Sequence, residues 1–340
     1  MSQTLHEPEI VALVERAFMA SQTSKSNANN VAKALTQAEI DGQAGHGLSR
    51  VASYTLQSRT GKVDGFATPS LSHVRDGAIV VDAASGFAYP AIELVLEALP
   101  SCAAKTGIAA AAIQRSHHCG VLGWHVERLA EFGLVALAFA NTPSAMAPWG
   151  GTKRLFGTNP IAFAAPRKNA SPVVVDLALS RVARGAVLRA AQRGEPIPAD
   201  WATAPDGSPT TDPQKALHGS LMPIGDAKGA ALAFMVEVLA VALTGANFGF
   251  EASSFFDEHG GPPNVGQFFV VVDPAGFVGA HRYFDRVGDL VNEIEHDAGS
   301  RLPGESRWAR RRAAKDGVSV DDDLVNTIHA IADGSPPCHS

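Results

Sequence analysis

The stretch from Ser116 to Pro166, SHHCGVLGWHVERLAEFGLVALAFANTPSAMAPWGGTKRLFGTNPIAFAAP, restricts the fold more than any other part of this sequence. It joins two adjacent histidines, a segment from about Trp124 to Phe132 with helical spacing, and two apolar runs of strand length. Gly- and Pro-based turns separate them. Short apolar runs bounded by turn residues read as buried strands, so a chain punctuated this way alternates strands with helices around a shared core. A dry core interrupted by polar groups marks a ligand site.

The same alternation extends in both directions and places the chain in the α/β class. Strands are predicted over Ala78–Ala83, Gly107–Ile113, Leu134–Ala140, Ile161–Ala165, Val173–Asp176 and Gln267–Asp273. Helices are predicted over Pro90–Leu99, Arg181–Arg193, Ala230–Leu243 and Arg286–His296, with a charged helix near the C-terminus. Two amphipathic helices are expected over residues 8–42, broken by the polar stretch Ser21–Asn30. Gly194–Gly219 reads as a surface excursion with little core, and Gly334–Ser340 as a frayed end.

Composition narrows the function. With 340 residues and 46% hydrophobic content the chain can bury a large core, in two domains or in one with a large insertion. A net charge of -6 and the lack of any Lys/Arg-rich run argue against nucleic acid and polybasic membrane contacts. No apolar run approaches the roughly 18 residues of a membrane span. The three cysteines have no CxxC spacing, so neither a disulfide framework nor a zinc site is indicated, and a reducing, cytoplasmic compartment fits. A metal at His117, His118 and His125 would lack a carboxylate in ligand spacing, and none is expected. A small molecule is the expected partner.

Three places carry chemistry. His46 sits between glycines, and a helix starting near Leu48 would put Arg50 and Tyr54 on one face, a guanidinium and a phenol suited to a carboxylate. From spacing alone, a capping histidine and a surface arginine are the plainer reading. Ser116-His117-His118 lies at a strand end, where side chains are rigid yet can face a cleft. Gly225-Asp226-Ala227-Lys228-Gly229 opens a helix, and glycines around a lysine there suit an anion as well as they suit a flexible turn. No GxGxxG, GxSxG or P-loop spacing occurs. Cys119 and His118 are neighbours on a strand and point to opposite faces, a poor nucleophile and base. The same alternation makes His117 a structural neighbour.

Taken in order, AGHGLSR, RSHHCGVLG, NTP followed by APWGG, FGTNPIAFAAP, VVDLALS, GDAKG, LTGANF and RLPGES resemble the malate/L-lactate dehydrogenase-2 family, also called the sulfolactate-dehydrogenase-like family. The matching blocks run from about residue 30 to 310. The resemblance implies a nicotinamide-binding domain that is not a Rossmann fold, with a mostly antiparallel central sheet flanked by helices. It implies a second, substrate and dimerisation domain from residues 1–115 with 290–340, the nicotinamide domain taking 116–289, and a homodimer. The activity it implies is NADP(H)- or NAD(H)-dependent hydride transfer, with a lean to NADP(H), at the carbon next to a carboxylate. A 2-oxo acid/2-hydroxy acid couple leads, a cyclic imine such as piperideine-2-carboxylate or pyrroline-2-carboxylate follows, and an inactive ligand-binding homologue is the non-enzyme alternative.

Carried over position by position, the resemblance makes His46 and His118 the candidates for proton transfer, without choosing between them, and Arg50 the carboxylate clamp beside Tyr54. Thr142, Asn159, Asp176, Leu177, Ala178, Lys228, Gly304, Glu305 and Arg307 fall at cofactor-contacting positions. Two departures stand out. Gly45 replaces the usual serine before His46, and Asp226-Ala227 precedes Lys228 where an aromatic residue or histidine is common; Asp226 would disfavour a 2'-phosphate that Arg181 and Arg184 would favour.

Overall fold

The computed structural model describes residues 1–335. The chain opens with β1 (Ser2–Leu5), α1 (Glu7–Met19), α2 (Lys25–Ile40) and α3 (Val51–Arg59), and closes with α10 (Glu305–Ala313), β11 (Val318–Asp321) and α11 (Asp322–Ala332). β1 and β11 pair antiparallel, so the two chain ends form one unit. Its core packs Ile10, Val14 and Phe18 of α1 against Val31 and Leu35 of α2, Tyr54 of α3, and Val325 and Ile328 of α11.

Between these ends lie β2 (Ser70–Arg75), β3 (Ala78–Asp82), α4 (Ala88–Thr106), β4 (Ile108–Ser116), α5 (Leu122–Glu131), β5 (Val135–Ala140), β6 (Ile161–Arg167) and β7 (Ala170–Leu177). There follow α6 (Arg184–Arg193), β8 (Ala202–Thr203), α7 (Pro213–His218), β9 (Ser220–Leu221), α8 (Ala227–Glu237), β10 (Val265–Val272) and α9 (Ala280–His296). One seven-stranded sheet runs in the order β2-β3-β4-β10-β5-β6-β7. Only β3 and β4 pair parallel, across the α4 crossover; the other neighbours are antiparallel. This is a mixed, mostly antiparallel sheet with helices packed on it.

The two faces of the sheet have different side chains. Ala109 and Ala111 of β4, Ala136 and Ala138 of β5, and Ala162 and Ala164 of β6 line the face covered by α4 and α5. Small side chains let the helices sit close, and alternation sends Leu137, Phe139, Ile161 and Phe268 into a separate core on the other side with α8.

Several sequence expectations need correction. The polar stretch Ser21–Asn30 is half helical, because Ser24 accepts a hydrogen bond from Asn27 N (3.3 Å) and starts α2 in its middle. Gly194–Gly219 is no bare excursion: Ile197, Ala202 and Ala216 are buried in the second sheet-face core, with β8 and α7 around them. Strands β1, β2 and β11 leave no local signal, since their partners lie elsewhere in the chain or their side chains are mostly exposed. The helix around 230–243 starts at Ala227 and loosens into a π turn over Val238–Ala242. Of the end expected to fray, residues 336–340 lie outside the described residues; the carbonyls of Gly334 and Ser335 accept hydrogen bonds from Arg59. No helix among the described residues is long and apolar enough to cross a membrane.

Candidate active site

The exit of α2 sets the first wall. Glu39 accepts the Leu48 N–H at 2.9 Å, and Gly47 lies so close to α2 that a Cβ there would stand 2.3 Å from Glu39 Oε2. The chain therefore turns in two short 3-10 segments, Ala44–His46 and Leu48–Arg50, before α3. Arg50 and Tyr54 follow at helical spacing and share one face. Tyr54 is wholly buried; Arg50 is half-buried.

The second wall comes from the end of β4. Arg115 adopts φ 48°, which breaks the pleat, so alternation stops there and both His117 and His118 turn towards the same aromatic cluster. His117 is structural as expected, though for another reason: its Nε2 donates to Gln57 Oε1 at 2.8 Å. His118 Nδ1 is hydrogen-bonded to the Tyr54 hydroxyl in a short contact, and its ring stacks on His46 with centroids 5.2 Å apart. Four residues spread over more than seventy positions in sequence thus meet: His46, Arg50, Tyr54 and His118.

Burial keeps the two histidines of this end uncharged. Burial, then the charge of Arg50, lowers His46 to about 4. Burial holds His118 well below its ordinary value, helped by His46, Arg50 and His117. The Tyr54 phenol is pushed up by burial. Cys119, in the core beneath, is raised to about 12 by burial and is no nucleophile. Arg50 donates through Nε to the Gly45 carbonyl (2.7 Å), and among the described residues it has no carboxylate partner. Nor do three described His, Cys, Asp or Glu side chains converge as a metal site would need; His125 Nε2 donates to the Cys119 carbonyl.

The residues expected to hold a dinucleotide divide sharply. Thr142 and the Gly157–Asn159 turn are bonded together, Thr142 Oγ1 accepting the Thr158 N–H at 2.9 Å. Thr142 keeps partial exposure, whereas Asn159 is fully buried and donates to Ala233 O (3.1 Å) and Glu237 Oε1 (2.9 Å), bracing α8. Asp176 accepts the Gly123 N–H at 2.9 Å; burial raises its carboxyl, against that amide and Arg307. Arg307 is buried among Asp41, Glu127 and Asp176, with contacts of 3.4 to 3.5 Å. Beside it Arg311 pairs with Asp41 (2.6 Å) and with Glu127. Asn159 and Arg307 are thus occupied within the protein. Leu177 and Glu305 are exposed, Ala178 is half-buried, and Gly304, at φ 85°, brings the start of α10 against Val174 O, where a Cβ would stand 2.9 Å away.

Lys228 is exposed at the N-terminus of α8 and has no carboxylate partner among the described residues. Asp226 does not cancel it, because Arg181 takes up that carboxylate at 2.6 Å and Asp200 at 2.9 Å. An ammonium with helix N–H groups beside it, the Thr142 hydroxyl, the exposed Leu177 and the half-buried Ala178 suit a dinucleotide in donor chemistry and exposure.

Several functional neighbours carried no sequence signal. Phe255 lies 5.0 Å from the His118 ring and Phe256 stacks at 4.7 Å under the Arg50 guanidinium, both from an irregular loop two hundred residues after Arg50. Gln57 and Lys62 anchor that loop. Only the adjacency of two phenylalanines in a Ser/Gly-rich segment could have drawn notice.

A buried histidine beside a guanidinium without a carboxylate partner among the described residues, with an anion-ready helix terminus on the same framework, suits a redox enzyme working next to a carboxylate. By class the protein is a dehydrogenase or reductase. The chain belongs to the malate/L-lactate dehydrogenase family, whose model matches residues 5–329. It is 47% identical to the (2R)-3-sulfolactate dehydrogenase (NADP(+)) of Chromohalobacter salexigens, over 98% of this chain and 99% of that one. It is 41% identical to the Delta(1)-pyrroline-2-carboxylate/Delta(1)-piperideine-2-carboxylate reductase of Pseudomonas putida, over 95% of each. Among solved structures, delta1-piperideine-2-carboxylate reductase from Pseudomonas syringae superposes with a TM-score of 0.91 at 37% identity, covering 97% of this chain and 99% of that one.

Proposed function

We propose that this enzyme interconverts a 2-oxo acid and a 2-hydroxy acid with NADP(H), or with NAD(H), its substrate being a small carboxylate of the sulfolactate or malate type. The carrying observation is the unpaired Arg50 set beside the Tyr54–His118 hydrogen bond. Arg50 binds the carboxylate through its free guanidinium edge. Thr142, Leu177, Ala178, Lys228 and Glu305 would hold the dinucleotide, with Asp176, Asn159, Gly304 and Arg307 shaping the ground beneath it. The nicotinamide, when bound, supplies the hydride.

His118 is the proposed proton carrier. Its ring is oriented by Tyr54 at Nδ1, which leaves Nε2 to exchange the proton with the reacting oxygen. In the neutral base Nδ1–H donates to the Tyr54 oxygen and Nε2 carries the lone pair; Nε2 takes up the substrate proton in oxidation and returns it in reduction. Neutral His118 is a competent base for oxidation, and a bound carboxylate that offsets the charge of Arg50 raises its pKa and so lets it donate in reduction. His46 stacks against it, its own buried Nδ1 without a hydrogen-bond partner among the described residues, and helps to hold His118 low.

The sheet supports a nicotinamide domain outside the Rossmann type, since its strands are mostly antiparallel. The β1–β11 pair supports a unit from both chain ends, with 1–115 and 290–340 apart from 116–289. A homodimer is supported by Leu232, Phe234, Val238 and Leu243, exposed along α8 and the turn after it, because a helix apolar on all sides is ordinarily covered. The free, buried thiols of Cys102 and Cys119 suit the cytoplasm.

A cyclic 2-imino acid is the second reading, favoured by the close structural likeness to the piperideine-2-carboxylate reductase. Steady-state oxidation of NADPH and NADH with sulfopyruvate, oxaloacetate, pyruvate and piperideine-2-carboxylate decides between them. Turnover of the imine alone selects the second reading, and turnover of none with either cofactor defeats both.

A further inference from the structure

Lys62 is the most deeply buried cation among the described residues, at 2% exposure, and the chemistry above makes no use of it. Its ammonium donates to the carbonyl oxygens of Ser254 (2.7 Å), Asp257 (2.8 Å) and His259 (2.7 Å), with Asp257 Oδ1 at 3.4 Å. Three short contacts to backbone use the three N–H donors, so this lysine serves a loop more than it serves a counter-charge. Burying an ammonium is costly unless its contacts are complete. Here they are, and what they fix is residues 251–264, which contain neither helix nor strand.

A second anchor ties the same loop to the histidines. Gln57 donates through Nε2 to the Asp257 carbonyl at 2.9 Å, while its Oε1 accepts from His117 Nε2. Between these anchors the loop presents two rings to opposite parts of the site. Phe255, 5% exposed, lies 5.0 Å from the His118 ring and 5.3 Å from that of His117. Phe256 covers one face of the Arg50 guanidinium at 4.7 Å. A ring on the flat face of a guanidinium leaves the N–H edge for a carboxylate, and a ring against an imidazole keeps water from it.

We propose that Lys62 is a positioning residue for substrate binding: by holding the carbonyls of residues 254–259 it seats Phe256 on Arg50 and Phe255 on His118, and this loop sets how well a carboxylate is gripped. The proposal rests on the reading of Arg50 and His118 given above. Without the ammonium, the Ser254 and His259 carbonyls lose this donor and the Asp257 carbonyl keeps only Gln57, so the segment turns towards water and takes both rings with it.

The test is Lys62→Met in the full chain, which keeps the stem and removes the donors. Chymotryptic cleavage after Phe255 or Phe256 should quicken by about tenfold or more, KM for the preferred 2-oxo acid should rise by about 100-fold, and kcat and the Kd for NADPH should stay within about threefold. Cleavage within about twofold of the parent, or KM, kcat and Kd worsening by one common factor, overturns the proposal. Phe256→Ala, at a position 45% exposed, decides the matter even if the lysine variant does not fold: KM should rise about tenfold, and KM within about twofold of the parent overturns the proposal. If the parent protein turns over no 2-oxo acid, the proposed function fails, while the cleavage ratio still decides whether Lys62 holds the loop.

Discussion

Arg311 and Arg50 show the two ways this molecule keeps a guanidinium. Arg311 meets both oxygens of Asp41 and the carboxylate of Glu127, with Arg307 and Asp176 completing a buried lattice between α2, α5, β7 and α10. Arg50 has a carbonyl and a phenylalanine ring, with no carboxylate partner among the described residues. Charge that is fully paired inside the protein holds elements in place, and charge left unpaired beside neutral histidines is available to a ligand. The two regions should therefore fail differently when cut.

The sharpest cut is at the proposed proton carrier. His118→Ala should lower turnover by about 10²- to 10⁴-fold while leaving the thermal midpoint close to that of the parent, measured by NADPH oxidation and by melting. His46→Ala should lose less, and the reverse ranking would move the carrier to His46. In the paired lattice, Arg311→Met should cost about 3–5 kcal/mol of stability, because it leaves Asp41, Glu127 and Asp176 to share the single charge of Arg307 in the interior. Urea unfolding reads this directly; a loss below about 1 kcal/mol would erase the contrast with Arg50.

Arg50→Met should raise KM for the carboxylate substrate by about 100-fold and hardly move the melting temperature, the opposite signature to Arg311→Met. Acid should also divide the regions. Burial holds His117 at about 3 and His125 at about 4, as it holds His46 at about 4. Between those values and the unfolded value near 6.5, the unfolded chain binds more protons than the folded one. Stability that is whole above pH 6.5 is thus lost as pH falls towards 4, by up to about 1.4 kcal/mol per pH unit for each histidine that titrates. A melting temperature flat from pH 7 to 4.5 would show that these rings are not buried neutral. The smallest effect expected is for Gly45→Ser, within about 0.5 kcal/mol, since a Cβ there meets no atom within 4 Å. A large loss would mean that the bare glycine is itself part of the His46 wall.

Much of this protein is written locally. The apolar runs from Ala78 to Asp273 predict six of the seven strands of the central sheet, and helical spacing places Arg50 and Tyr54 on one face, because both periodicities act over a few residues. The ordered blocks around His46, His118, Asn159 and Lys228 suffice for the family. Partnership is not local. That Arg307 is consumed by three carboxylates, that Asn159 faces inward to α8, that Asp226 is taken up by Arg181, and that Phe255 reaches the histidines and Phe256 reaches Arg50 from a loop held by Lys62 all depend on contacts between residues far apart in sequence. A side chain's type sets what it can bind; only the packing of distant segments decides which bonds are already made inside the protein, and so which groups remain for a substrate.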